Sequence, residues 1–302
     1  MKKFLLKVAL FFVLMAGLDV ICGWGFDILR SKARGGQTHK NEYIANECVD
    51  DILILGSSKA DHHYVPSVFE DSLGVACYNA GEMGCGIIPA YVRYKMVSER
   101  KKPTLVIYEV TPGYDYLVDN GYSSYLGVIR QYTDNKMVRD VYIDFSDELE
   151  GLRLLSDMYR NNSKLIMNLK DLLAKPDEFK GYEPLYGKMS IPKENPMEKP
   201  DKAISVDSLK WSYVERLVAD IKADNVPLVF VISPSYSGEL SADYEPIIQF
   251  CEDNNIPLVD NIGNVSFVRN NEYFQDATHL NHVGAVAYSQ WMAPQIRSYL
   301  SY

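Results

Sequence analysis

Basic residues are what this 302-residue chain is short of: 31 Lys and Arg stand against 40 Asp and Glu, a formal net charge of −9. No basic block occurs beyond the first few residues. Binding nucleic acid needs clustered cations to displace condensed counterions, so that partner class is excluded. Cysteine is also scarce. Cys22, Cys48, Cys77, Cys85 and Cys251 show no CxxC and no metal-ligand spacing, so no metal site is expected. Four of them would be free to pair in an exporting cell, but buried thiols fit the pattern equally well. Internal repeats and low-complexity tracts are absent too. Small or sugar-like neutral substrates remain compatible with this composition.

One long hydrophobic run is present. Lys2, Lys3 and Lys7 precede "VALFFVLMAGLDVICGWGF", residues 8–26, interrupted by Asp19 alone. A helix of this length, at about 1.5 Å per residue, approaches the roughly 30 Å of a bilayer core. Asp19 costs about 2.5–3.5 kcal/mol at mid-bilayer, which such a run tolerates. Residues 1–26 therefore read as an N-in membrane anchor or a signal sequence. No clean small-x-small site follows the run, which favours the uncleaved anchor. A polar linker is expected over 27–48, and an exported domain over 49–302.

From residue 51 onward the pattern alternates. "DILILGSS" (51–58), "VACYNAG" (75–81), "TLVIYEV" (104–110), "VPLVFVIS" (226–233) and "IPLVD" are short apolar runs, with helical spacing between them. Such runs read as buried strands, and the alternation implies an α/β parallel sheet with right-handed crossovers. The rhythm breaks over about 113–206, where Tyr-rich and helical stretches precede the loop-like "GYEPLYGKMSIPKENPMEKPDK". We read that span as an inserted subdomain or cap.

Ligands in open parallel sheets gather at the C-terminal strand ends. Past the first strand stand Gly56, Ser57 and Ser58; past the second, Asn79, Gly81, Glu82 and Gly84. Thr111, Pro112 and Gly113 follow the third, Ser233 to Tyr236 the fourth, and Asp276 and His279 come some way after the fifth. A serine hydroxyl is a weak nucleophile until an imidazole takes its proton, and the imidazole needs an acceptor to hold its tautomer. Fixed N–H donors must also meet a developing oxyanion. All these residue types occur at one sheet edge.

"LILGSS", "NAGEMG" and "DATHLN" resemble the first, second and last blocks of the SGNH/GDSL hydrolase superfamily. The resemblance spans about 50–110 and 207–300 and implies a flavodoxin-like fold without cofactor. It places the nucleophile at Ser58, with Ser57 where the family usually has Asp, the base at His279 and the orienting acid at Asp276. It places oxyanion donors at the N–H groups of Ser58 and Gly84, and the second-block asparagine at Asn79. The third-block Gly-x-Asn-Asp is missing; the chain reads "EVTPGYDY", and Thr111 is the substitute candidate. Ser57 remains a rival nucleophile one residue away.

Membrane-anchored relatives with GSS-type first blocks accompany polysaccharide acylation in bacterial envelopes. The resemblance thus implies an esterase or O-acyltransferase acting on acylated, chiefly acetylated, surface glycans beside polysaccharide machinery. A catalytically quiet module that binds glycan or protein is the alternative. Asp276 is equally a turn or cap residue on local grounds, and Asn281 and His282 are expected to start the last helix. His62 and His63 are expected to be exposed, and Glu109 to orient a loop or pair with backbone. Tyr182 and Tyr186 either stack on sugar rings or cover the insertion's own core.

Overall fold

The computed structural model describes residues 1–119, 121–161, 164–190 and 204–300. Its sheet consists of β1 (Ile52–Gly56), β2 (Cys77–Asn79), β3 (Leu105–Glu109), β4 (Leu228–Ile232) and β5 (Leu258–Asp260). All pairings are parallel, in the order β2-β1-β3-β4-β5. This is the flavodoxin-like order, and each expected strand falls on an observed one. Every residue of β1, β3 and β4 is buried, which is why they read as continuous apolar runs, whereas β5 at the sheet edge is only partly covered.

The helices are, in chain order, α1 (Lys2–Ser31), α2 (Gly36–Asn46), α3 (Ser58–His63), α4 (Pro66–Leu73), α5 (Ile87–Ser98), α6 (Pro112–Asp115) and α7 (Ser123–Ile129). They continue with α8 (Lys136–Asp144), α9 (Glu150–Arg153), α10 (Asp157–Arg160), α11 (Leu165–Leu172), α12 (Ser208–Ala223), α13 (Glu245–Asn254) and α14 (His282–Ile296). The chain divides into two compact units, one made of residues 1–46 and 126–177, the other of 47–125 and 178–302.

The second unit holds the sheet. Ile52, Ile54, Ile107, Val229 and Val231 share a core with Phe69 of α4 and Tyr288 and Met292 of α14. The alternate residues, such as Leu53, Val106 and Phe230, point to the other face, as a period of two requires. There α5 and α12 pack on each other, with the Tyr91 and Tyr213 rings 5.2 Å apart. Gly56 ends β1 at φ +138, and a Cβ there would lie 2.6 Å from the carbonyl oxygen of Glu109 on the paired strand. Only glycine allows the chain to turn that close to β3 and start α3 at once.

In the first unit, α1 is one unbroken helix of 30 residues with a mean hydropathy of 2.3 over its apolar window, long and apolar enough to cross a membrane. The stretch 27–48, expected as a linker, is instead helical for most of its length. Its α2 lacks an apolar stripe because, Ile44 apart, what it buries is polar: Thr38 donates from its amide to Asp171 at 2.9 Å and from its hydroxyl to Asn168 at 3.1 Å. The expected insertion is likewise divided. Residues 126–177 form α8 to α11 and pack with α1 and α2, while 178–190 and 204–206 belong to the second unit. Residues 191–203 of the loop-like tract lie outside the described residues. All five cysteines are free thiols, four of them buried.

Gly56→Ala should combine a strained backbone, at about 1–3 kcal/mol, with a backbone clash. The expected outcome is a lowered thermal midpoint, whereas Gly127→Ala, where a Cβ meets nothing within 4 Å, should leave it nearly unchanged.

Candidate active site

Ser57 caps α3 and Ser58 is its first residue, so the turn after β1 lifts Ser58 to the C-terminal edge of the sheet. Across that edge runs the loop 275–281, closed by the bridge between Phe274 and Leu280 and by the Gln275 amide donating to the His279 carbonyl at 2.9 Å. The loop presents His279 so that its Nε2 lies 2.8 Å from the Ser58 hydroxyl, while its Nδ1 lies 2.9 Å from Asp276 Oδ2. An ionised carboxylate can only accept, so Nδ1 carries the ring proton and Nε2 is left as the acceptor for the serine.

Asp276 does two jobs with one side chain. Its Oδ1 accepts from the Thr278 and His279 amides, both at 2.8 Å, and from the Thr278 hydroxyl at 3.0 Å. The turn-forming reading and the orienting reading are therefore both satisfied. Partial burial would raise its pKa, but the His279 ring and the two amides outweigh that and hold it at about 2. Asn281 caps α14 by accepting from the Gly284 amide at 2.9 Å. His282 starts that helix and meets the Tyr182 hydroxyl at 3.0 Å. Both were expected to open the helix.

Ser57 is fully buried and donates its hydroxyl to Thr111 at 2.7 Å, which leaves Ser58 as the serine facing His279. Thr111 stands in the third block, its amide held by Asp115 at 2.6 Å, and the same carboxyl accepts from Tyr108 at 2.7 Å. Burial pushes Asp115 up to about 7 against those hydrogen bonds. In the second block, Asn79 is fully buried. Its amide donates to the carbonyls of Ala60 at 2.7 Å and Tyr64 at 2.9 Å, and its Oδ1 takes the Gly81 amide at 3.0 Å. Its polar atoms are thus spent inside the fold rather than on a ligand. Glu82 pairs with Arg93 of α5 and pins the loop that carries Gly84 at φ +71. Tyr182 is buried, as the core-covering reading had it. Tyr186 is 69 % exposed, with its ring 5.7 Å from that of His282.

Beneath this surface lies a buried polar network. His62 and His63, expected to be exposed, are both buried. The His62 ring meets that of His279 edge-on at 5.7 Å, and His63 does so at 6.3 Å. His63 Nε2 accepts the Leu280 amide at 3.0 Å, so its Nδ1 carries the proton and donates to the Ser233 hydroxyl at 2.8 Å. Ser233 in turn donates from its hydroxyl at 2.7 Å and its amide at 3.1 Å to Glu109, which also accepts from Tyr64. Lys59 lies 3.8 Å from Glu109 and donates to the Ser233 carbonyl at 3.0 Å. Burial, with Lys59 beside it, lowers the His63 pKa well below the usual imidazole range, which keeps it neutral. Burial likewise raises Glu109 and lowers Lys59, each opposed by the other. Glu109 thus pairs with backbone, one of its two expected roles, and with three side chains as well. Nothing in "KADHHY" announces that His63 meets Leu280, because the two are 217 residues apart.

Among the described residues, no group of three or more His, Cys, Asp or Glu side chains is placed to hold a metal ion. No family model and no curated protein matches the chain. Solved structures similar to it include one described as a lipolytic protein of the G-D-S-L family from Desulfitobacterium hafniense. That structure is 10% identical with a TM-score of 0.42, over 81% of this chain and 98% of that one. Another, described as an acylhydrolase from Bacteroides fragilis, is 12% identical with a TM-score of 0.41, over 85% and 93%. At such scores the likeness is noted, and nothing below rests on it.

His63→Ala should leave the Leu280 amide without its acceptor, at about 1–3 kcal/mol for a buried orphan, while the Ser233 hydroxyl loses a donor but keeps its bond to Glu109. Thermal unfolding should register the loss, and the rate of covalent labelling at Ser58 by a fluorophosphonate should fall with it. A second outcome concerns acid. Asp276 is ionised in the fold down to about pH 2, below its ordinary 3.8, so its contribution to stability is complete above about pH 4 and is lost as pH falls towards 2. Urea midpoints taken between pH 5 and 2 should drop less steeply in Asp276→Asn than in the parent.

Proposed function

We propose that the chain is an SGNH-type serine esterase or O-acyltransferase, and that Ser58, His279 and Asp276 are its catalytic residues. The observation that carries this reading is the 2.8 Å contact between the Ser58 hydroxyl and His279 Nε2, with Asp276 on the far side of the ring. Ser58 attacks the acyl carbonyl as His279 takes its proton. His279 then returns that proton to the departing sugar oxygen, and Asp276 stabilises the imidazolium. Water, or a second hydroxyl in the transferase case, resolves the acyl-enzyme by the reverse proton path.

The oxyanion falls to the N–H groups of Ser58 and Gly84. Ser58 opens a helix, where an amide has no intrahelical partner, and among the described residues no acceptor takes the Gly84 amide. Thr111 supplies the third donor in place of the absent asparagine, since its hydroxyl accepts from Ser57 and keeps its own hydrogen to donate. The acyl group is an ester on an extracytoplasmic glycan, and the exposed ring of Tyr186 offers a face for the sugar. This assignment follows from the apolar α1 as an uncleaved N-in anchor, from the acidic composition and from the resemblance of the three blocks to envelope-modifying relatives. The polysaccharide-modifying machinery of the cell envelope is then its natural partner.

A fluorophosphonate probe tests the site. Wild type should label, Ser58→Ala should not, and Thr111→Val should label on the order of 10²–10³-fold more slowly, with Thr111→Ser restoring most of the rate. No labelling of wild type at any pH would replace this reading with a glycan- or protein-binding module. Loss in Ser57→Ala alone would move the nucleophile by one residue.

A further inference from the structure

The helix α11, which packs against α1, has its polarity inside out. In α11 the buried residues are Asn168 and Asp171, both engaged by Thr38, while Ile166 and Leu169 on the same helix are exposed. Leu173, just beyond it, is 86 % exposed and Ile166 82 %. The preceding turns add Leu152 and Met158, both exposed, and Leu155 at 75 %, with Leu154 turned inward. A soluble surface helix turns such a stripe inward and its amides outward. An apolar patch this continuous marks a surface meant to be covered.

What covers it is set by α1. Asp19, the one charge in the apolar run, is not left in hydrocarbon alone. Its carboxylate accepts from the Ser156 hydroxyl at 2.6 Å and from the Asp157 and Met158 amides at 2.8 and 3.0 Å, and so caps α10. Gly23, one turn further along, lets α10 come close: a Cβ there would lie 2.4 Å from Asp157 Oδ2. Small residues serve such close approach between helices in membranes. Trp24, 67 % exposed, follows at the end of the run, where indoles mark the membrane–water boundary. Asp19 precedes Trp24 by five residues, so at about 1.5 Å per residue its level is roughly 7–8 Å below that boundary. Helices lying in a membrane interface ride about 5–10 Å deep. The N-terminus of α10 is pinned at that depth.

We propose that the helices α9, α10 and α11 lie in the outer interface of the lipid bilayer, alongside α1, with Leu152, Leu155, Met158, Ile166, Leu169 and Leu173 among the acyl chains. Charge plays no part in the attraction. Between residues 147 and 175 there are five Lys or Arg and five Asp or Glu, so a neutral bilayer suffices. The inference rests on α1 being the membrane anchor and adds a second, monotopic contact to it.

The full chain, reconstituted in phosphatidylcholine vesicles, tests this with a nitroxide at one of four positions: L14C on α1, L155C, I166C, and V265C as the water reference, Val265 being 89 % exposed on the other unit. Unsubstituted protein supplies the background from the native thiols. Oxygen partitions into lipid and a charged nickel chelate into water, so their relative collision rates report depth. Labels at 155 and 166 should show an oxygen-to-nickel ratio several-fold above that at 265 and close to that at 14. Ratios equal to that at 265, with 14 in lipid, overturn the interfacial contact while the anchor stands. Exclusion of both reagents at 155 and 166 also overturns it, in favour of cover by a second copy of the chain. A water-like ratio at 14 brings down the anchor and this inference together.

Discussion

Glu109 is the carboxylate on which the site depends. It sits fully buried at the end of β3, where an unpaired charge would cost several kcal/mol. Its two oxygens collect the Ser233 amide and hydroxyl and the Tyr64 hydroxyl, with Lys59 at 3.8 Å. Lys59 belongs to α3, the helix that starts at Ser58, Tyr64 follows it, and Ser233 follows β4. Through Ser233 the network reaches His63, and through His63 the Leu280 amide beside His279. Three segments that are far apart in sequence are thereby fixed against one another. Because each donor in the chain has one acceptor, the tautomer of His63 follows from its partners rather than from solution pH.

At the mouth above this network, economy of side chains is the rule. Asp276 closes its own turn and holds the His279 ring, so the backbone turn and the Ser58–His279–Asp276 arrangement share a carboxylate. Ser57 joins the end of β1 to the turn after β3 through Thr111, and Asp115 holds the Thr111 amide. Thr111 is thus tied down from two sides. Asn79, by contrast, is consumed in joining β2 to α3.

The first unit follows a different physical logic. Where α2 meets α11 the buried contacts are polar, with Asp171, Asn168 and Thr38 inside, while the outer side of α11 is Leu and Ile. That arrangement is costly in water and natural where the surrounding solvent is hydrocarbon. Asp19 fits the same logic: inside an apolar helix it is tolerable because three donors of a neighbouring segment meet it.

Short, uninterrupted apolar runs are what buried parallel strands require, so the sheet and the level of its C-terminal edge were legible from residues 51–58, 75–81, 104–110 and 226–233 without any coordinates. So were the chemistry-bearing residues that emerge there, Ser58, Gly84, Asp276 and His279, and the apolar length of α1. Pairings between distant residues were not legible. His63 reads as an exposed neighbour of His62 until Leu280 is brought to it, and Glu109 reads as one buried acid until Tyr64, Lys59 and Ser233 converge. The 27–48 stretch reads as a linker because α2 buries Thr38, whose partners Asp171 and Asn168 lie more than a hundred residues away. Local periodicity records which residues avoid water. Which polar group satisfies which other is decided only when the tertiary structure closes the distance between them.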